Sequence, residues 1–224
     1  MGEYVDEEGQ RYTVDQAGRV LALRTNHPKE LADALNMLAR ELLRTRQDLH
    51  AWKWAVIAAH NAVQNIVADC AAGDRSRQRR ELKTLSKNVR KATEGPARRR
   101  ALNALLGKTW ALIRKGEEPL DLHAFLDLFD LVNAKWRLSV PDGLRGRMIT
   151  LNDERNAWIH FGAGSYEFEV DGYPSLLLEC LRWVEHLGWK TGLVFWFSDK
   201  VRDRARATLD VCLATLKELE VEYS

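Results

Sequence analysis

The sequence predicts a mainly α protein: a helical bundle with a small N-terminal β meander and an inserted basic helical hairpin. Three observations carry that reading. Leucines recur at helical spacing, first as Leu31, Leu35, Leu38 and Leu42. The stretch from Asp48 to Ala72 runs unbroken by proline or glycine and is closed by Gly73. Strand-like residues, in contrast, gather in the first 24 positions.

In that N-terminal segment "VDEEGQRYTV" and "VDQAGRVLAL" each carry Asp, two residues, Gly and then a run with strand character. This nine-residue echo reads as two tight turns of an antiparallel meander, an appendage over residues 1–26. Residues 27–224 form the helical domain. Pro28 sits near the first turn of its first helix, and a second long helix spans 48–72. Leu82, Leu85 and Val89, then "EGP", then Leu102, Leu105, Leu106, Trp110 and Ile113 predict a helical hairpin within an insertion at about 74–120. "PLDLHAFLDLFDLVNAKW" predicts another helix, ended by "SVPDG", and a further helix spans about 142–161. "GAGSYEFEVDGYP" is a glycine-bounded loop holding a short strand in which Tyr166, Phe168 and Val170 alternate with Glu167 and Glu169. Two helices, starting near Pro174 and Ser198, close the chain.

A hydrophobic content of 46% with 29% charged residues suits a folded domain. No apolar run approaches the roughly 20 residues that cross a bilayer, and the acidic start "MGEYVDEEGQ" is unlike a signal peptide. Position 6 lacks the Ser or Thr of a myristoylation signal. The expectation is a cytoplasmic protein with no membrane association. Cys70, Cys180 and Cys212 lie far apart in apolar helical surroundings, which suits reduced core thiols.

The net charge of +2 is unevenly spread. Arg75, Arg77, Arg79, Arg80, Lys83, Lys87, Arg90, Lys91, Arg98, Arg99 and Arg100 face only Glu81 and Glu94, so the segment carries +9 and the remainder −7. Clustered cations gain affinity for a polyanion by releasing its counterions, so these residues are the candidate RNA contacts. A solvated helical face is the competing reading.

The chemistry concentrates in "RNAWIH", residues 155–160. The stripe Leu144, Met148, Leu151 steps next onto Arg155 and then Ile159, which puts a cation where a core residue is expected. On an ideal helix Asn156 and His160 share one face, whereas Arg155 and His160 stand about 140° apart. Their convergence requires either a loosened helix before Gly162 or a second copy of the chain across a two-fold axis. Arginine suits a phosphate that gains charge at phosphorus, and histidine exchanges a proton near neutral pH, so the set fits phosphodiester cleavage in RNA. The alternative is a structural arginine paired with Glu154 or Asp153, with His160 capping the helix.

R-x4-H with a polar residue after the arginine, inside "LNDERNAWIHF" and ahead of "GYPSLLLECLRWVEHL", resembles the signature helix of the HEPN superfamily. "DLHAWKWAVIAAHNAVQ" resembles the long helix that precedes it in one bacterial branch. These two stretches cover residues 48–66 and 144–190. The resemblance implies an all-helical, commonly dimeric domain and a metal-independent endoribonuclease of toxin-antitoxin, anti-phage or RNA-processing systems, with no cofactor. By this resemblance Arg155 and His160 are the catalytic pair, Asn156 is the polar neighbour, and Asp48 is the auxiliary residue from an earlier helix. RNA, a second copy of the chain and an inhibitory antitoxin or defence-system protein are the implied partners. A non-catalytic module of the same fold, binding RNA or protein through the basic hairpin, is the other function the family allows. Trp52, Lys53, Trp54, His60, Asn61 and Gln64 carry the resemblance on the second helix without assigned roles. Trp52 and Trp54 cannot share one face, so one reads as core and the other as an interface or stacking surface, with core packing the reading preferred for both.

Other patterns point elsewhere or nowhere. His27, His50, His60, His123 and His186 show no H-E-x-x-H and no metal-ligand spacing with the cysteines. Asp121, His123, Asp127 and Asp130 read as a solvated helical face.

Overall fold

The computed structural model describes residues 26–71, 125–159, 168–194, 196 and 198–223, together with the backbone of three strands. Strands β1 (Gly2–Val5), β2 (Arg11–Val14) and β3 (Val20–Arg24) pair antiparallel in that order, with a register shift at Thr13/Val14. The six α-helices among the described residues are α1 (His27–Arg44), α2 (Ala51–Ala71), α3 (Phe125–Trp136), α4 (Leu144–Ile159), α5 (Tyr173–Glu185) and α6 (Asp199–Glu222). The chain is mainly helical. The basic hairpin expected at 74–120, with Arg75 through Arg100, lies outside the described residues, as does His160.

Helix α1 begins where Asn26 caps it, its side chain accepting from the Lys29 N–H at 3.1 Å, with Pro28 in the first turn where a missing N–H costs nothing. Its buried stripe is Leu31, Leu35, Leu38 and Leu42. Helix α2 differs because it is buried nearly all round, from Ala51 and Trp52 through Ala55, Val56, Ala59, Val63 and Ile66 to Cys70. Its many alanines keep the backbone close to its neighbours, and it packs against α1, α3, α4, α5 and the turn after α5.

Long-range contacts fix the helix directions. Early in α2, Trp52 lies 5.6 Å from the Tyr173 ring that opens α5 and 5.8 Å from Tyr223 just past α6, and its indole donates to the Tyr223 hydroxyl at 3.2 Å. Late in α2, the Cys70 carbonyl accepts from Trp136 at the end of α3, and Asn65 meets His27 at the start of α1. Thus α3 and α5 run with α2, whereas α1 runs against it. Helix α6 closes the layer over α1 and α5. Arg46, just beyond α1, grips its last turn through Glu218 at 2.9 Å and Glu222 at 2.7 Å.

After α5 the helix widens into a π turn, His186–Lys190, in which the Thr191 N–H reaches back to the His186 carbonyl. Gly188 makes this packing fit, since a Cβ there would stand 3.2 Å from Ile66 Cδ1. Its carbonyl accepts from the Trp196 indole at 3.1 Å. Helix α3 ends at Arg137, held at φ 50°, and Gly143 at φ 78° turns the chain into α4.

Three expectations change. The alternation around Phe168 makes no strand over 168–170; Phe168 instead stacks on Trp158 at 3.6 Å, an aromatic contact that replaces the pairing a strand needs. Trp52 is fully buried, but Trp54 is 45% exposed with Lys53 Nζ 5.2 Å from its ring, because two residues of helix turn it away from the core. Helix α4 buries Trp158 rather than Ile159, since the seven-residue step from Leu151 returns to the same face and the Trp158 indole finds the Tyr173 hydroxyl at 3.2 Å. The three thiols are free and buried, each pushed up to about 12, chiefly by burial.

The buried face of α1 gives a stability test. Leu38→Ala should cost about 2–5 kcal/mol by urea unfolding, while truncating the 78%-exposed Val221 to alanine should leave the midpoint within error.

Candidate functional site

Helix α4 brings Asn152, Arg155 and Asn156 to one face at three- and four-residue steps. Because Leu151 and Trp158 fix the buried side of the helix, Arg155 falls at the margin of the core, half-buried, with its guanidinium able to reach outward. Its Nη1 donates to Asn156 Oδ1 at 2.9 Å. Its Nε is buried and meets no acceptor. Among the described residues no acid pairs with it.

The two neighbouring acids are placed elsewhere. Glu154 lies a quarter-turn away and accepts from the Tyr173 hydroxyl at 2.6 Å, while Asp153 is exposed. Burial first, and then the Glu154 carboxylate beside it, raise the Tyr173 hydroxyl above its ordinary range, so it stays a donor at neutral pH. The Trp52, Tyr173, Trp158 and Glu154 group therefore forms a support behind α4 that engages Glu154 away from Arg155, which no acid among the described residues neutralises.

Facing this helix from α2, His60 is 3% exposed and lies ring to ring with Phe125 of α3 at 4.3 Å. Its Nε2 lies 3.4 Å from Asn152 Oδ1, and with hydrogen on that nitrogen it donates there. Nδ1 is then a buried acceptor without a partner. Desolvation, reinforced by the Arg155 charge, lowers this imidazole to about 4, so it is neutral at physiological pH. Among the described residues the site thus consists of the Arg155 guanidinium, paired with no acid, bordered by the Asn152 and Asn156 amides and a neutral imidazole. Such an arrangement attracts an anion, and its two unpartnered buried nitrogens are features a satisfied core would lack.

Arg155 and Asn156 are brought together, and His160, the residue after α4, lies outside the described residues. Asp48 is not brought to them. It sits before α2, where its carboxylate accepts from the His50 N–H at 2.9 Å and pairs with Arg44 at 3.2 Å. Nine residues of helix, roughly 14 Å of rise, separate Ala51 from the His60 turn. A short polar residue following Arg44 is better used to start α2 than to reach Arg155. Asn152 and His60 are the residues that sequence reasoning left without a role. The signal for Asn152 was present in its three-residue spacing from Arg155, whereas His60 had no local signal, because its partner is 92 residues away. Among the described residues no group of His, Cys, Asp and Glu is arranged to hold a metal ion.

His60 makes a pH prediction. Its folded value, about 4, lies below the ordinary 6.5, so the unfolded chain binds the extra proton first. Stability from this residue is complete above about pH 6.5 and is lost as pH falls toward 4, amounting to about 3 kcal/mol. Urea unfolding at pH 7 and pH 4.5 should show a steeper loss in the parent than in His60→Gln.

The chain matches no protein-family model, no curated protein and no solved structure.

Proposed function

We infer that the chain is a cytoplasmic, dimeric HEPN-type endoribonuclease that cuts RNA without a metal, its helical bundle extended by the N-terminal β meander and the inserted basic hairpin. The observation that carries this reading is Arg155: a guanidinium at the core margin, anchored on Asn156 and neutralised by no acid among the described residues. A protein that used this arginine for structure would pair it, since a half-buried charge without a counterion is costly. A phosphodiester supplies the missing anion.

In the reaction the RNA 2′-hydroxyl oxygen attacks phosphorus and gives up its proton, and the 5′-oxygen leaves and takes one. The products are a 2′,3′-cyclic phosphate and a 5′-hydroxyl. Arg155 stabilises the charge on the five-coordinate phosphorus, and Asn156 fixes the guanidinium's orientation. His160 exchanges the proton. His60, neutral and enclosed, acts as a spacer that keeps a second cation away from Arg155. The residues Arg75 to Arg100 draw in the substrate, and a toxin-antitoxin or anti-phage setting gives the protein its inhibitory partner.

Purified protein should cleave mixed RNA in EDTA, leaving cyclic phosphate ends, and Arg155→Ala and His160→Ala should each slow cleavage about 10²–10⁴-fold while remaining folded. Arg155→Lys should rescue little, because an ammonium lacks the planar fork. Intact RNA under the parent protein, with folding preserved, overturns the catalytic reading. The RNA affinity of uncleaving Arg155→Ala should fall steeply between low and physiological salt, and a flat salt profile would remove the basic segment from the interface.

A further inference from the structure

At the opposite end of α4 from Arg155, a cleft of about 690 Å³ opens between the loop that enters α4 and the outer side of α5. That volume lies within the range that small organic ligands occupy. Ser139, Pro141 and Asp142 form one wall, and Arg182, Trp183 and His186 belong to the other. The Leu144 side chain and the Trp183 ring, both buried, give the cleft an apolar lining.

The charges lining the cleft determine what it can take. Glu179 is engaged by Arg147 at 3.1 Å. Glu185 is engaged from two sides, by Lys190 at 3.0 Å and Arg206 at 2.9 Å, and those two cations hold it below the usual carboxylate range despite the opposing effect of its burial. Once these are paired, two opposite charges remain on opposite walls. Arg182 and Asp142 are both exposed, and neither has an ion-pair or hydrogen-bond partner among the described residues. The His186 ring is stacked on Trp183 at 5.0 Å, which holds that wall rigid, and the buried Trp183 N–H meets no acceptor.

We propose that this cleft binds a small zwitterion, a free amino acid or a peptide of a few residues, whose carboxylate meets Arg182 and whose ammonium meets Asp142 across Trp183 and Leu144. An isolated anion satisfies only one wall and leaves Asp142 repelling it. A neutral apolar ligand satisfies neither. Guanidinium and carboxylate form paired, charge-assisted hydrogen bonds, and an ammonium gives Asp142 the same advantage. The apolar span between them accounts for the enclosed indole and leucine. This site is independent of the RNA-cutting reading, because it uses none of the residues at Arg155.

Calorimetry on the full chain with phenylalanine, Ala-Phe and Ala-Phe-Ala, each also N-acetylated and C-amidated, tests the proposal and separates free amino acids from peptides. At least one unblocked compound should bind, and blocking either terminus should weaken it about tenfold or more. Arg182→Ala should weaken the free-carboxylate forms and leave the amidated ones unchanged, and Asp142→Asn should do the same for the free-ammonium forms against the acetylated ones. Both positions are exposed, so unchanged melting temperatures are expected. Arg155→Ala should bind like the parent, which keeps this outcome apart from any loss of RNA cleavage. No heat from any unblocked compound at about 10 mM, equal affinity for blocked and unblocked forms, or preference for adenosine monophosphate over all of them overturns the proposal.

Discussion

Because α2 is enclosed by α1, α3, α4, α5 and the π turn, its side chains must be small enough to let five neighbours approach and apolar enough to lose water on nearly every side. Its alanines meet the first requirement and its valines, Ile66 and Trp52 the second. This enclosure also governs the polar groups α2 carries. His60 has no route to solvent, so it must be neutral and must find what partners it can on α3 and α4. Helices α1, α3, α4 and α6 each bury a narrower set, which leaves outward faces for charge, whereas α5 is buried over most of its length.

The Arg155 site follows from that enclosure. Helix α4 has to bury Leu144, Met148, Leu151 and Trp158 against the bundle, and this rotation leaves Arg155 at the boundary between core and solvent. The support behind it is aromatic: Tyr173, packed on Trp52 and accepting from Trp158, engages the Glu154 carboxylate about a quarter-turn from Arg155. A single acid turned away is therefore the reason a neighbouring charge remains available. Elsewhere on the surface the protein pairs its charges freely, as in Arg46 with Glu218 and Glu222, or Arg206 with Glu185 and Asp210. Those exposed pairs contribute little individually, yet they tie α6 back to α1 and α5.

The two ends of α4 differ in the charges around them. Its C-terminal half carries the Arg155 guanidinium, and its N-terminal end borders the cleft lined by Asp142 and Arg182. The difference lies in what three dimensions bring together: among the described residues, no acid pairs with Arg155 at one end, and Asp142 and Arg182 lack a charged partner at the other.

The sequence by itself determined the helical class and the approximate helix starts, because periodicity, caps and breakers act over a few neighbours. Leu31 to Leu42, Pro28, Ser198 and the run of alanines in α2 were legible for that reason. So was the oddity of Arg155 on an apolar stripe. The partners of that arginine were not legible. Glu154 and Asp153 both stood within two residues of it in the chain, and only the position of Tyr173, 19 residues beyond Glu154, engaged Glu154 elsewhere. Asp48, the auxiliary residue implied by the resemblance, accepts from the His50 N–H in the turn before α2, a placement its sequence neighbours did not announce. Trp52 and Trp54 looked alike until packing buried one and exposed the other. The role of His60 depended on Phe125 and Asn152, both far away in sequence. Local pattern specifies which backbone forms, but burial and charge pairing depend on what other segments bring alongside, and the tertiary structure alone decides that.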